Sequence, residues 1–359
     1  MKLQIEQKPL AQALAKVAGI IEKRNTIPVL ANILLRAQDS KLTIIGTDLD
    51  IEVITTLDCE VEQDGETTVN AQLFTDIVKK TPPGKLLSLD MSQDKLAVKS
   101  GRSKFNLATL PADEMPRLGD SEFTHSFDIA ASELGRLLGK AAFAMSTEES
   151  KYYLNGVYLH QADDKLTAVA TDGHRLARVV SDMADDIPGV IIPRKTVAEA
   201  RKVLTSGAVT VSLSETKVRL DLGDTVITSK VVDATFPDYT SIMPSGYENS
   251  VTVDAKDLSR AADRVASLVE DRTKRVEVTI EDGSLMIAAT GSMGNAEDAI
   301  DAVIVGEGVK FAINAPYMRE TLSQAEGGDI MIEYGTSGQP VMLKPKEDDG
   351  FTAIIMPMR

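Results

Sequence analysis

Tryptophan is absent from this 359-residue chain, cysteine occurs once, histidine three times, and aromatic residues amount to 4%. A single cysteine, Cys59, excludes an internal disulfide, and its place in the strand-like run IEVITTLDCEVE marks it as a packed residue, so a cytoplasmic location is expected. His125, His160 and His174 stand apart from one another and from the cysteine, so no metal-ligand spacing occurs, and neither metal nor cofactor is expected. No glycine-rich dinucleotide fingerprint follows a strand and no Walker A run is present, which leaves phosphate-cradling nucleotide sites unsupported. No apolar run approaches the ~20 residues that span a membrane. The chain opens on strand-like MKLQIEQ, without the basic and apolar regions of an export signal, so neither membrane nor export is expected. Basic residues are the minority, 39 Lys and Arg against 54 Asp and Glu, and the formal charge is −15. A chain of that sign does not hold nucleic acid by its whole surface.

What the chain does contain is a repeat. The strand-then-helix pattern LQIEQKPLAQALAKVAGII returns as FDIAASELGRLLGKAAFAM and VTVDAKDLSRAADRVASLV, with Leu10, Leu134 and Leu258 each 124 residues apart. In every copy the apolar positions follow i, i+3, i+4, i+7, i+8, i+11, one buried stripe per helix. They are Leu10, Ala13, Leu14, Val17, Ala18 and Ile21; Leu134, Leu137, Leu138, Ala141, Ala142 and Met145; Leu258, Ala261, Ala262, Val265, Ala266 and Val269. Positions on the opposite face carry Lys8, Gln12 and Lys16, then Ser132, Arg136 and Lys140, then Lys256, Arg260 and Arg264, with no acid among the nine. In an acidic chain a solvated face should mix signs. Three sign-pure copies point to a shared anionic ligand, and Lys16, Arg136, Lys140, Arg260 and Arg264 are its expected contacts.

Each copy continues through strands to a second strand and helix, in TTVNAQLFTDIVKKT, VIIPRKTVAEARKVL and KFAINAPYMRETLSQA, and closes on Leu110-Pro111, Phe236-Pro237 or Met356-Pro357. A module is thus β-α-β-β-β written twice. Asp39-Ser40, Asp48 and Asp282-Gly283 mark strand reversals. Three modules follow, residues 1–121, 126–245 and 248–359, joined by PADEMPRLGDSEFTHS and MPSGYENS, in an α+β layer structure with antiparallel sheets behind the helices. The one pairing worth weighing as chemistry is Asp172 with His174 in TDGHR; modules one and three have TDLD and TGSM there, and an Asp-Gly pair is above all a turn.

The runs KRNTIPVLANILL, SGRSKFNLATLP, KYYLNGVYLH, ATDGHRLA, FPDYTSIMP and MPMR give the whole chain a resemblance to the bacterial sliding clamps, the β subunits of DNA polymerase III. The resemblance implies a head-to-tail homodimeric ring of six modules around duplex DNA, with helices lining the hole and sheets outside. It implies a non-catalytic processivity factor that tethers the replicative polymerase. DNA contacts are implied at Arg24, Tyr152, Tyr153 and Lys195. A pocket for short apolar peptides of the polymerase, clamp loader and other clients is implied at Leu154, Thr171, Gly173, His174, Arg175, Leu176, Pro237, Ile242, Asn314, Tyr317, Val341, Ile354, Ile355, Met356, Pro357, Met358 and Arg359. The chain departs from relatives in ending at Arg359 and in carrying Ser241 where others have a basic residue, and both bear on the shape of the pocket.

Elementary geometry agrees with two copies. Six helices about 10 Å wide would enclose a hole of about 9 Å, twelve a hole of about 28 Å, and only the second admits a duplex roughly 20 Å across. Closure is expected where an edge strand with Phe105 and Leu107 meets the helix end near Leu268 and Val269 of the other copy. The competing reading is a three-module scaffold that binds an anionic partner without encircling it.

Overall fold

A computed structural model describes residues 1–22, 26–92, 94–119, 122–183, 187–270, 274–292 and 294–358. Six α-helices occur among them: α1 (Gln7–Val17), α2 (Ala71–Lys80), α3 (Ala131–Ala141), α4 (Arg194–Val203), α5 (Ala255–Ala266) and α6 (Ala315–Leu322). Each follows directly on a strand, and three are stopped from fraying by a polar side chain at the junction. Asn70, Asp254 and Asn314 accept the N–H groups of Leu73, Asp257 and Tyr317 at 2.9, 2.8 and 3.0 Å, each such cap being worth about 1 kcal/mol.

The apolar stripe is buried in full along α5, from Leu258 to Ala266, and Val269 just past the helix end is buried too. In α1 it holds only to Val17, where the helix ends; the phase is then lost, Ile20 takes the core position, and Ala18 and Ile21 are half-buried. In α3 the regular helix ends at Ala141 and a 3₁₀ turn, Ala142–Ala144, delivers Met145 to the core. The anticipated reversals are present: Asp39, Ser40, Leu49 and Asp282 adopt positive φ.

By compactness the chain forms two units, Met1–Gly135 with Lys195–Val232, and Arg136–Arg194 with Asp233–Arg359. The first holds a 13-stranded antiparallel sheet, the second a nine-stranded and a four-stranded one. These units cut across the repeat because strands are shared between successive copies. In the first unit Ile51–Asp58 pairs with Thr225–Lys230, with Thr55 opposite Thr225 and Val53 opposite Ile227. In the second, Arg175–Ser181, one repeat further on, pairs with Phe351–Ile355, Arg175 opposite Ile355 and Ala177 opposite Ala353. Cys59 is half-buried, and burial followed by the Asp58 charge pushes its thiol up to about 11, as expected of an inert packed residue.

Candidate functional site

The residues expected to form a peptide pocket all fall in the second unit and divide into a buried set and an exposed set. Val341, Ile355 and Arg175 lie in one row across three adjacent strands, and Met342, Ile354 and Leu176 in the next. Leu154, Leu176, Val341, Ile354 and Ile355 are core side chains. Gly173, His174, Pro237, Ile242 and Met356 are exposed, while Asn314, Tyr317, Pro357 and Met358 are half-buried. The tail is tied down by its backbone: Met356 N–H donates to the His174 carbonyl at 2.9 Å and Met358 N–H to that of Ala312 at 2.8 Å. Arg359 lies outside the described residues.

The TDGHR turn is built around Arg175. Asp172 Oδ1 accepts the N–H groups of His174 and Arg175 at 2.8 and 3.0 Å, and Oδ2 accepts Arg175 Nε at 3.1 Å. Thr171 Oγ1 donates to the Arg175 carbonyl at 2.6 Å and accepts Gly173 N–H at 3.1 Å. The buried guanidinium donates further to Glu320 Oε2 at 2.5 Å and to the Phe143 carbonyl at 2.6 Å, and lies 4.3 Å from the Tyr317 ring centroid and 5.2 Å from that of Phe143. Burial, and next the Asp172 charge, push the Tyr317 phenol up. With the Asp172 carboxylate engaged by Arg175, it forms no acid/base pair with His174, whose ring stacks against Tyr317 at 6.4 Å. The turn presents a stiff, partly apolar rim and no catalytic constellation. Phe143 and Glu320 escape a sequence reading, since nothing in their spacing marks them as partners of Arg175.

The loop that carries Pro237 and Ile242 is gripped on both sides of Pro237. Phe236 stacks on Tyr158 (centroids 4.8 Å apart, 9°), Tyr158 stacks on His160 (4.3 Å, 15°), and His160 Nε2 shares a 2.9 Å hydrogen bond with the Tyr239 hydroxyl. Burial lowers the His160 pKa to about 4.

The basic helix face is less free than its sequence. Lys16 Nζ donates to Asp224 Oδ2 at 3.0 Å and Thr225 Oγ1 at 2.9 Å. Burial pushes the Asp224 carboxyl up, but the Lys16 and Thr225 hydrogen bonds outweigh it and hold it below its ordinary range. Arg136 donates to the Val180 carbonyl at 2.6 Å and pairs with Asp348 at 3.5 Å; Lys140 pairs with Asp348 at 2.7 Å. Arg260 and Arg264 are the open ones, with side chains 68% and 61% exposed, paired with Asp257 at 3.7 Å and Asp298 at 2.5 Å. Lys195 pairs with Asp48 and, at 3.8 Å, Glu22. Tyr152 is exposed and meets half-buried Tyr153 edge to face, centroids 5.9 Å apart. Arg24 lies outside the described residues.

Among the strands with an open edge, two hold equivalent places in the repeat to the strands shared between copies. Ser103–Leu110 pairs with Lys95–Ser100 along its length but with Gly65–Asn70 only at Thr109 and Leu110. Gly294–Asp301 is one of the two outer strands of the four-stranded sheet. On the first edge Phe105 is 40% exposed, at a groove of about 300 Å³ shared with Leu73, Ile77 and Pro82. Leu107 and Val269, by contrast, are buried within their own units, and Leu268 is half-buried with its carbonyl packed over Gly291. Of the four expected interface residues, Phe105 and Leu268 therefore keep surface to offer.

Family models described as the DNA polymerase III beta subunit match the chain in three parts: the N-terminal domain over residues 1–119, the central domain over 128–238 and the C-terminal domain over 240–359. The beta sliding clamp of Caulobacter vibrioides (strain NA1000 / CB15N) is 38% identical over 371 residues, covering all of both chains. That of Pseudomonas aeruginosa is 33% identical over 366 residues, again covering both fully. Among solved structures, a Bartonella birtlesii sliding clamp bound to griselimycin superposes with a TM-score of 0.96 at 36% identity, covering 100% of this chain and 99% of that one. The Caulobacter crescentus clamp gives 0.92 at 36% identity, covering both chains fully.

Proposed function

Because this chain belongs to the DNA polymerase III beta subunit family over its whole length, we propose that two copies close head to tail into a ring around duplex DNA. It is a DNA sliding clamp, a processivity factor that tethers the replicative polymerase and has no catalysis of its own. The supporting observation is the pattern of shared strands. The strand pairs Ile51–Asp58 with Thr225–Lys230, and Arg175–Ser181 with Phe351–Ile355, join module one to two and two to three. The equivalent strands left over are Gly294–Asp301 of module three and Ser103–Leu110 of module one, and each has an open edge. A second copy satisfies both, twice, by heterologous closure. Charge agrees: Arg102 and Lys104 border one edge, Glu297, Asp298 and Asp301 the other.

Within this reading the modules are residues 1–121, 126–245 and 248–359. DNA runs past the exposed Arg260, Arg264 and Tyr152, with Arg24, Lys195 and Tyr153 contributing. Clients insert short apolar peptides at the rim formed by His174, Pro237, Ile242 and Met356, over the floor held by Arg175. Methionine at the rim suits a surface that must repack around several partners. No helix among the described residues is long and apolar enough to cross a membrane, and the site of action is the cytoplasm. The experiment is topological: after loading, the protein should be retained on nicked circular DNA and lost when the circle is linearised. Equal retention on both forms would establish the non-encircling scaffold instead.

A further inference from the structure

One ion pair on the basic helix face occurs twice, a full repeat apart. Lys16 and Lys140 are 124 residues apart, and so are their partners Asp224 and Asp348. Each acid sits in the turn that leads into the last strand of the following module, Thr225–Lys230 or Phe351–Ile355, the strand that crosses over to pair with the preceding module. Each lysine therefore reaches from the first helix of one module to the turn of the next, across their shared strand pair. The lysines are correspondingly withdrawn, with side chains 30% and 14% exposed. Lys140 also donates to the Gln324 carbonyl at 3.3 Å and lies 6.0 Å from the centroid of the Phe351 ring, on the strand it helps to anchor.

The third copy departs. Arg264, at the position of Lys16 and Lys140, turns to Asp298 of its own module, and the turn before Ser103–Leu110 carries Arg102 where its counterparts are acids. A random surface pair would not recur to the residue at the two junctions inside the chain and lapse at the one between copies.

We infer that Lys16–Asp224 and Lys140–Asp348 are latches joining consecutive modules, and that phosphate contact on this face falls to Arg260 and Arg264; the second half rests on the DNA reading above. All four cations have a carboxylate partner, and exposure separates them: the Lys16 and Lys140 side chains are 30% and 14% exposed, those of Arg260 and Arg264 68% and 61%, so only the arginines can reach a phosphate without leaving the protein surface. The exposed arginines of the third module bind phosphate with release of counterions, and they carry the salt dependence. The sign-pure stripe is thus two devices on equivalent positions: cations that hold the modules together, and cations that face the ligand.

Charge exchange separates the two roles. K140E and D348K should each lower the thermal midpoint, and K140E/D348K should recover most of the loss; K16, with D224, should repeat the result with smaller shifts. Both exchanged proteins should be retained on nicked circular DNA as the parent is, across a salt series. R260E/R264E should lose retention roughly tenfold, whatever shift in midpoint the loss of the Asp298 pair brings. Single-variant losses that merely add in the double variants would overturn the latch. Recovered midpoints with retention as poor as that of R260E/R264E would make the lysines phosphate contacts and overturn the division of roles. Failure of the parent itself to be retained on circles would refute the clamp reading and the assignment of Arg260 and Arg264 with it, while the midpoints still decide the latch.

Discussion

Replacing Arg175 by alanine removes the buried support of the rim proposed for client peptides. The guanidinium makes charged hydrogen bonds to Asp172 at 3.1 Å, Glu320 at 2.5 Å and the Phe143 carbonyl at 2.6 Å. Its loss leaves the Asp172 carboxylate, 13% exposed, with backbone N–H groups and no cation hydrogen-bonded to it, and the Phe143 carbonyl without this donor. Breaking a buried pair from one side costs about 3–5 kcal/mol. Glu320, 52% exposed, is partly rehydrated when it is released, which places the cost near the lower end, at about 3 kcal/mol. For a unit of roughly 150–250 residues each kcal/mol is worth about 2–4 °C, so the midpoint should fall by roughly 6–12 °C. Arg175→Lys keeps the charge but cannot serve three acceptors from a planar fork, and should lose about half as much. Because the same fork fixes the turn that presents His174, calorimetric titration with a short apolar peptide from the polymerase tail should show affinity weakened at least tenfold in R175A, or about 1.4 kcal/mol. A midpoint within a degree of the parent, with unchanged peptide affinity, would refute the idea that this guanidinium holds the rim.

Two further outcomes follow from burial. His160 titrates near 4 in the fold against 6.5 in the unfolded chain, so the unfolded state binds the extra proton first. Its stabilisation is complete above pH 6.5 and declines as pH falls towards 4, by up to about 3 kcal/mol; His160→Gln should flatten that part of the stability curve, and an unchanged pH profile of thermal midpoints would contradict it. Phe105 is 40% exposed on an open edge, so Phe105→Asp should leave the midpoint of the protomer within about 2 °C. Two interfaces each losing on the order of 1.5 kcal/mol should weaken the dimer roughly 100-fold in sedimentation; a dimer as tight as the parent would place closure elsewhere.

The helical stripes, the turns at Asp39-Ser40 and Asp282-Gly283, and the three copies were readable because each rests on local spacing. Local spacing also sets the limits of such a reading. Periodicity marked Ala18 and Ile21 as buried, but α1 ends at Val17 and hands the core position to Ile20; where a helix stops depends on what it packs against. Alternation in SKFNLATL does not tell which residue of an edge strand fills its own core, and Leu107 does while Phe105 does not. The Arg175 turn was visible as a turn, yet Phe143 and Glu320 lie 32 and 145 residues away.

The basic stripe marks the boundary most sharply. Reading nine helix positions for sign assumes that the acids which answer a lysine are its neighbours along the helix, which holds for Arg260 and Asp257. For Lys16 and Lys140 the acids come 208 residues later, from a turn placed there by strands exchanged between modules. The recurrence was nonetheless present in the sequence, since a pair of residues and its double, both displaced by the repeat length, is a signature any true repeat can carry. What was missing was the knowledge that the last strand of one module lies beside the preceding module. Once that single pairing is known, the repeat generates the latch at both junctions, and it leaves the third, between copies, to be held by different residues.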